Sequence, residues 1–158
     1  MEFTKGKIEG VVVTPARKYV DDRGWLVETF RHDEMDRTYH PVMGYSSLTL
    51  PGVARGPHEH VEQSDYFVFI GPGNFKIWMW DNRKTSSTFN HKMVLFGGAD
   101  SPLSVLIPPG VVHAYKNVSE STAQVHNYPN QLFMGQKKKY PIDEIRHEDD
   151  PNTPYQLE

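Results

Sequence analysis

The sequence has no cysteine, which excludes a disulfide framework and any thiolate chemistry. It has no apolar run of membrane-spanning length, and the opening residues MEFTKGKIEG carry no signal-peptide pattern, so a soluble, cytoplasmic protein without membrane partners is expected. Basic charge is never concentrated. The longest run, Lys137-Lys138-Lys139, is three residues in a chain of net charge -3, which argues against a nucleic-acid partner. There is no internal repeat and no flexible linker. At 158 residues, the expectation is one domain spanning 1–158 with its own core.

Aromatic side chains are plentiful: 8 Phe, 8 Tyr and 3 Trp, most of them inside β-like runs. That content argues against disorder and favours sheet over helix. Short runs at residues 8–14, 25–30, 45–50, 66–70, 74–80, 92–96, 103–107 and 123–128 are separated by Gly and Pro turns. Residues 74–80 alternate, with Phe75, Ile77 and Met79 on one face and Lys76, Trp78 and Trp80 on the other. Gly71-Pro72-Gly73 between two such runs suggests a hairpin of 66–70 with 74–80. Helix is confined to a short piece near residues 33–37 and one near the C-terminus. Closely spaced short strands indicate an all-β sandwich or barrel, the jelly roll among them. Residues 140–158 are charged and proline-containing, and are expected to pack as an irregular tail.

Two stretches could carry chemistry. In Ala54-Arg55-Gly56-Pro57-His58-Glu59-His60, the two histidines are two apart, so a strand turns both to one face. The second is Ile107-Pro108-Pro109-Gly110-Val111-Val112-His113, continuing to Asn117. Its Pro108, Gly110, His113 and Asn117 match the second cupin motif, while His58 and His60, with Asp65 close by, resemble the first. Together they resemble a cupin jelly-roll barrel, a double-stranded β-helix.

Four segments, two of them overlapping these stretches, narrow the resemblance. Asp21-Asp22-Arg23-Gly24-Trp25, running on to Glu28 and Phe30, fits D-x-R-G-[FW]-x-x-E-x-F. Gly52 to His58 resembles G-V-x-R-G-x-H. Asp81, Arg83, Ser86, Thr88 and Phe89 match D-x-R-x-x-S-x-T-F. Ile107 to His113 resembles I-P-x-G-x-x-H. In this order the segments resemble the dTDP-4-dehydrorhamnose 3,5-epimerase family of cupins. The resemblance implies an isomerase in carbohydrate biosynthesis that epimerises a nucleotide-linked 4-keto-6-deoxy sugar next to its ketone, without a cofactor. By position, His58 matches the catalytic base and His113 a substrate-contacting histidine, with His60 beside them. Arg23 and Arg55 match arginines that hold the nucleotide diphosphate, a role suited to a planar fork. Glu28 matches a substrate-contacting carboxylate. The resemblance also implies a homodimer with exchanged N-terminal strands, through which Arg23 and Glu28 reach the partner's site.

Three positions depart from the family pattern. The far-face tyrosine acid falls on His126, with Tyr128 as the nearby alternative. The family's substrate-binding lysine has no counterpart. The aspartate that orients the base is also missing, leaving Asp143, Glu144, Asp149 and Asp150 as stand-ins. His60 stands where the epimerases keep glutamine, and the R-G-x-H-x-H strand fits the 3,4-ketoisomerases of the same sugars better. Two other readings remain open. One is a metal-dependent cupin enzyme, in which His58, His60, Asp65 and His113 would suit Zn, Fe, Ni or Mn. The other is a non-catalytic sugar-binding cupin. Glu59 and Glu62 are expected to face solvent.

Overall fold

The computed structural model describes residues 2–158. In chain order the strands are β1 (Thr4–Lys5), β2 (Val12–Pro15), β3 (Tyr19–Asp21), β4 (Gly24–Leu26), β5 (Tyr45–Thr49), β6 (Ala54–Glu59) and β7 (Asp65–Phe69). They continue with β8 (Asn74–Asp81), β9 (His91–Gly98), β10 (Leu103–Ile107), β11 (Val111–Asn117), β12 (Ala123–Asn127) and β13 (Ile145–Arg146). One sheet has the order β1-β9-β8-β11-β6-β13 and the other β2-β10-β7-β12-β5, while β3 and β4 form a separate ribbon. The two larger sheets face one another in the expected jelly-roll barrel.

The alternation in β8 works as the sequence suggests. Phe75, Ile77 and Met79 point inward and join Phe67, Phe69, Val105 and Tyr115 in the core between the sheets. Each such side chain contributes roughly 2–3 kcal/mol through removal of apolar surface from water. Trp78 and Trp80 point the other way, yet they are 2% and 0% exposed. Phe3, Tyr155 and Leu157 cover them, so the chain's last residues seal the outer face of this sheet.

Residues 66–70 and 74–80 do not pair as a hairpin. β7 bonds to β10 and β12, and β8 to β9 and β11. The Gly71-Pro72-Gly73 corner carries the chain from one sheet to the other, with positive φ at both glycines. The helical expectation reduces to three-residue 3-10 turns at His32–Glu34, Arg37–Tyr39 and Gln136–Lys138. The tail is more ordered than expected, because β13 adds itself to the edge of β6, opposite His58 and Glu59. Among the described residues no helix is long and apolar enough to cross a membrane.

Candidate active site

Neighbouring strands β6 and β11 place His58 directly opposite His113, with ring centroids 4.5 Å apart. This pairing needs Gly56. Its φ is +78°, and a Cβ there would lie 2.5 Å from the His113 carbonyl oxygen and 3.0 Å from His58 Nδ1. A side chain at residue 56 would therefore push the two strands apart. His60 continues past the end of β6 on the same face, 5.6 Å from His58. Asp65 opens β7 in the facing sheet, so the cluster bridges the two sheets.

Asp65 is the hub. Its Oδ2 lies 3.0 Å from His60 Nε2 and 3.1 Å from His113 Nε2, close contacts not aligned as hydrogen bonds. Its Oδ1 accepts from Gln63 Nε2 at 2.9 Å and from Asn127 Nδ2 at 2.8 Å. Burial alone would raise the Asp65 pKa, but His113 and His60 outweigh it and hold the carboxyl well below its usual range. Burial works against a charged His60 too. The Asp65 carboxylate and the Asp143 carbonyl reverse that and raise His60 to about 9, making it an imidazolium at neutral pH. His58 goes the other way. Burial, then the neighbouring His113 and His60, lower its pKa to about 2.

The C-terminal segment closes this side of the cavity. The Asp143 carboxylate accepts three backbone N–H groups, from Val61, Glu62 and Gln63, at 2.8, 2.9 and 2.8 Å. The Asp143 carbonyl accepts from His60 Nδ1. Glu144 lies 3.9 Å from His58 Nδ1, an atom that is buried and otherwise unpartnered among the described residues. Of the four stand-in carboxylates, Glu144 is therefore the one beside the base. Glu59 does not face solvent as expected. It is 6% exposed and binds Asn82 Nδ2 and His147 Nε2 at 2.8 and 2.9 Å, tying the tail to β6.

His58 and His60 line a cavity of about 1160 Å³ shared with Tyr45, Arg55, Phe67, Tyr115, Lys137 and Glu144, with His113 and Asp65 buried behind them. Arg55 is braced by Nε to Thr49 Oγ1 at 3.3 Å and by Nη2 to the Leu48 carbonyl at 3.1 Å. Four residues singled out from the sequence lie elsewhere. His126 is an outward position of β12, because Ala123, Val125 and Asn127 turn inward, and it pairs with Ser46 Oγ at 2.7 Å. Tyr128 packs on Phe30 and against Gly44. Arg23 is 86% exposed on the β3–β4 ribbon, bound to Asp21, and Glu28 pairs with Arg31 at 3.3 Å. These displacements have one reason. Family spacing counts residues without registering which way a strand faces or where an exposed ribbon folds.

His58, His60, Asp65 and His113 can each offer a donor atom, all within 4.8 Å of one another. His113 Nδ1 donates to the Val111 carbonyl at 3.0 Å and His60 Nδ1 to Asp143, so both Nε2 atoms face the centre. Three imidazoles and a carboxylate suit a borderline divalent cation.

Residues 5–145 match the family model described as dTDP-4-dehydrorhamnose 3,5-epimerase. The chain is 33% identical over 127 residues to the probable low-salt glycan biosynthesis epimerase Agl13 of Haloferax volcanii, spanning 80% of this chain and 81% of that protein. It is 35% identical over 114 residues to the spore coat polysaccharide biosynthesis protein SpsL of Bacillus subtilis, spanning 72% and 74%. In fold it is similar to a dTDP sugar isomerase from Desulfovibrio desulfuricans, with TM-score 0.80, 20% identity and 94% and 91% of the two chains covered. The matched residues run from β1 into β13 and include every residue of the histidine cluster, so the chain belongs to the dTDP-4-dehydrorhamnose 3,5-epimerase family, epimerases of nucleotide-linked 4-keto-6-deoxy sugars.

Proposed function

We propose that the cavity binds a dTDP-linked 4-keto-6-deoxyhexose and that His58 removes a proton from a carbon flanking the ketone. The observation that carries this reading is the His58–Glu144 pair inside a cavity that also holds Arg55, Lys137, Lys138 and Arg146. A base held at about 2 is too weak on its own. Glu144 is a small side-chain adjustment from hydrogen-bonding His58 Nδ1, and substrate that excludes water would strengthen that pairing. Charge then develops on the ketone oxygen as an enolate. The His60 imidazolium supplies the fixed positive charge such an oxygen needs. Arg55 lines the same cavity with its guanidinium braced against β5, ready to take the diphosphate. A volume of about 1160 Å³ leaves room for a nucleotide beside the sugar.

Arg23 and Glu28 are assigned to a partner's cavity in a homodimer with exchanged N-terminal strands. The β3–β4 ribbon leaves Val20 75%, Leu26 62% and Trp25 50% exposed, and an isolated two-stranded ribbon is marginal in water. A second chain is the occupant that would bury those side chains.

This mode of reaction uses no cofactor. The four-donor cluster fits a divalent cation, which His58, His60, Asp65 and His113 would hold and which would act as a Lewis acid toward the ketone oxygen. Metal analysis of the purified protein distinguishes the two modes. Incubation with dTDP-4-keto-6-deoxyglucose in D₂O tests the reading itself. Deuterium at C3 or C5 with inversion is expected. A ketone moved to C3 would mean ketoisomerisation, and binding without exchange would leave only a binding module.

A further inference from the structure

Inversion needs a proton delivered to the sugar face opposite His58, and neither His126 nor Tyr128 lines the cavity. Tyr45, Tyr115 and Tyr140 do. Tyr115 stands on β11, in the same sheet as His58, with its ring in the core and its hydroxyl 3.1 Å from Ser47 Oγ. Tyr140 is 62% exposed. Tyr45 begins β5, in the sheet that faces His58 across the barrel.

The register turns Tyr45 to the cavity side of β5, although the residue as a whole is 45% exposed. It sits opposite Asn127 of β12, and Asn127 is fully buried. The neighbouring pair, Ser46 with His126, is the one that faces out. Hydrogen bonding then fixes where the phenolic proton points. Asn127 Oδ1 accepts the backbone N–H of Tyr66 at 3.0 Å, so the other end of the amide must be its NH₂. That NH₂ donates one hydrogen to Asp65 Oδ1 at 2.8 Å and the other to the Tyr45 hydroxyl oxygen at 2.9 Å. Tyr45 is thus an acceptor toward the wall, and its own O–H is left to donate into the cavity.

We propose that Tyr45 is the acid that protonates the sugar carbon on the face opposite His58, a role that rests on the epimerase reading of the cavity. His58 takes the proton of the C–H bond, and that bond's electron pair passes into the enolate. The electron pair returns to form a new C–H bond with the Tyr45 proton on the other face. Tyr45 is left as tyrosinate and His58 protonated, and exchange with solvent resets both, with no net oxidation or reduction. Burial and the Asp65 carboxylate raise the Tyr45 pKa, so the resting group is the neutral phenol and only a strongly basic carbanion takes its proton. The buried Asp65–Asn127 pair is the positioning device behind it.

The test compares Tyr45→Phe with wild type on dTDP-4-keto-6-deoxyglucose in D₂O, following deuterium uptake and stereochemistry separately. The wild type should incorporate deuterium and invert. Tyr45→Phe should still incorporate deuterium at the abstracted carbon, with configuration retained, while inversion falls roughly 10²-fold or more and KM changes by less than about threefold. Tyr115→Phe and Tyr140→Phe, the other two phenols of the cavity, should keep inverting. The proposal is overturned if Tyr45→Phe inverts at the wild-type rate. It is equally overturned if a folded, dTDP-binding Tyr45→Phe loses exchange together with inversion, or if Tyr140→Phe is the variant that stops inverting. A wild type that shows no exchange at all removes the epimerase reading and the proposal with it.

Discussion

Gly52 and Gly56 flank the start of β6, both in the left-handed region at φ +72° and +78°, and differ in what a side chain would meet. Alanine at residue 52 finds nothing within 4 Å, so its cost is the backbone strain alone, about 1 kcal/mol. Alanine at residue 56 carries the same strain and also places its Cβ 2.5 Å from the His113 carbonyl oxygen. That oxygen belongs to a strand bonded on both sides, so β6 and β11 must separate, at a further cost of roughly 2–3 kcal/mol. For a chain of this size, Gly52→Ala should lower Tm by about 3 °C and Gly56→Ala by about 10 °C. Thermal scans and urea titrations of the two variants side by side read the difference directly. Gly56→Ala should also lose more turnover than its stability explains, because it moves His58 away from His113. Equal destabilisation by the two substitutions would refute the idea that β6 and β11 touch closely enough to exclude a Cβ.

Other consequences are independent of that contact. Asp81 Oδ2 accepts from Arg83, Ser86 and Thr88 at 2.8, 2.6 and 2.6 Å, and its pKa is lowered to about 2. A depressed carboxylate stabilises above its unfolded pKa and loses that contribution as pH falls through the folded one. The urea midpoint should therefore drop between about pH 4 and pH 2 by an amount worth about 2 kcal/mol, and Asp81→Asn should flatten the slope in that window. Glu144→Gln keeps the shape of the side chain beside His58 but not its charge. Its kcat should fall roughly 10²-fold with KM little changed, and a variant as active as wild type would remove Glu144 from the base's service. Asp143→Ala frees the backbone N–H groups of Val61, Glu62 and Gln63, whose hydrogen exchange should accelerate while the β8 amides stay protected.

Strand alternation and turn chemistry made the barrel legible, since Phe75, Ile77 and Met79 could only be one wall of a core. The Gly71-Pro72-Gly73 corner misled because local turn signals do not say whether the next strand stays in the same sheet. His58, His60 and His113 were legible because a two-residue spacing and a strand after a Pro-Gly turn both survive folding. Tyr45 was invisible for the opposite reason. It sits in no motif, and its position follows from β5–β12 register and the orientation of one buried amide. Glu144 was one of four carboxylates in a charged tail, and only the pairing of β13 with β6 selects it. Glu59 looked solvent-facing because its partners, Asn82 and His147, are 23 and 88 residues away.

The central claim is that His58 moves the proton. Wild type and His58→Asn should be incubated with dTDP-4-keto-6-deoxyglucose in D₂O, with binding of the substrate to each measured in parallel. The account predicts deuterium beside the ketone for wild type and none for His58→Asn, while the variant still binds. Undiminished deuterium uptake in a folded His58→Asn protein would contradict it.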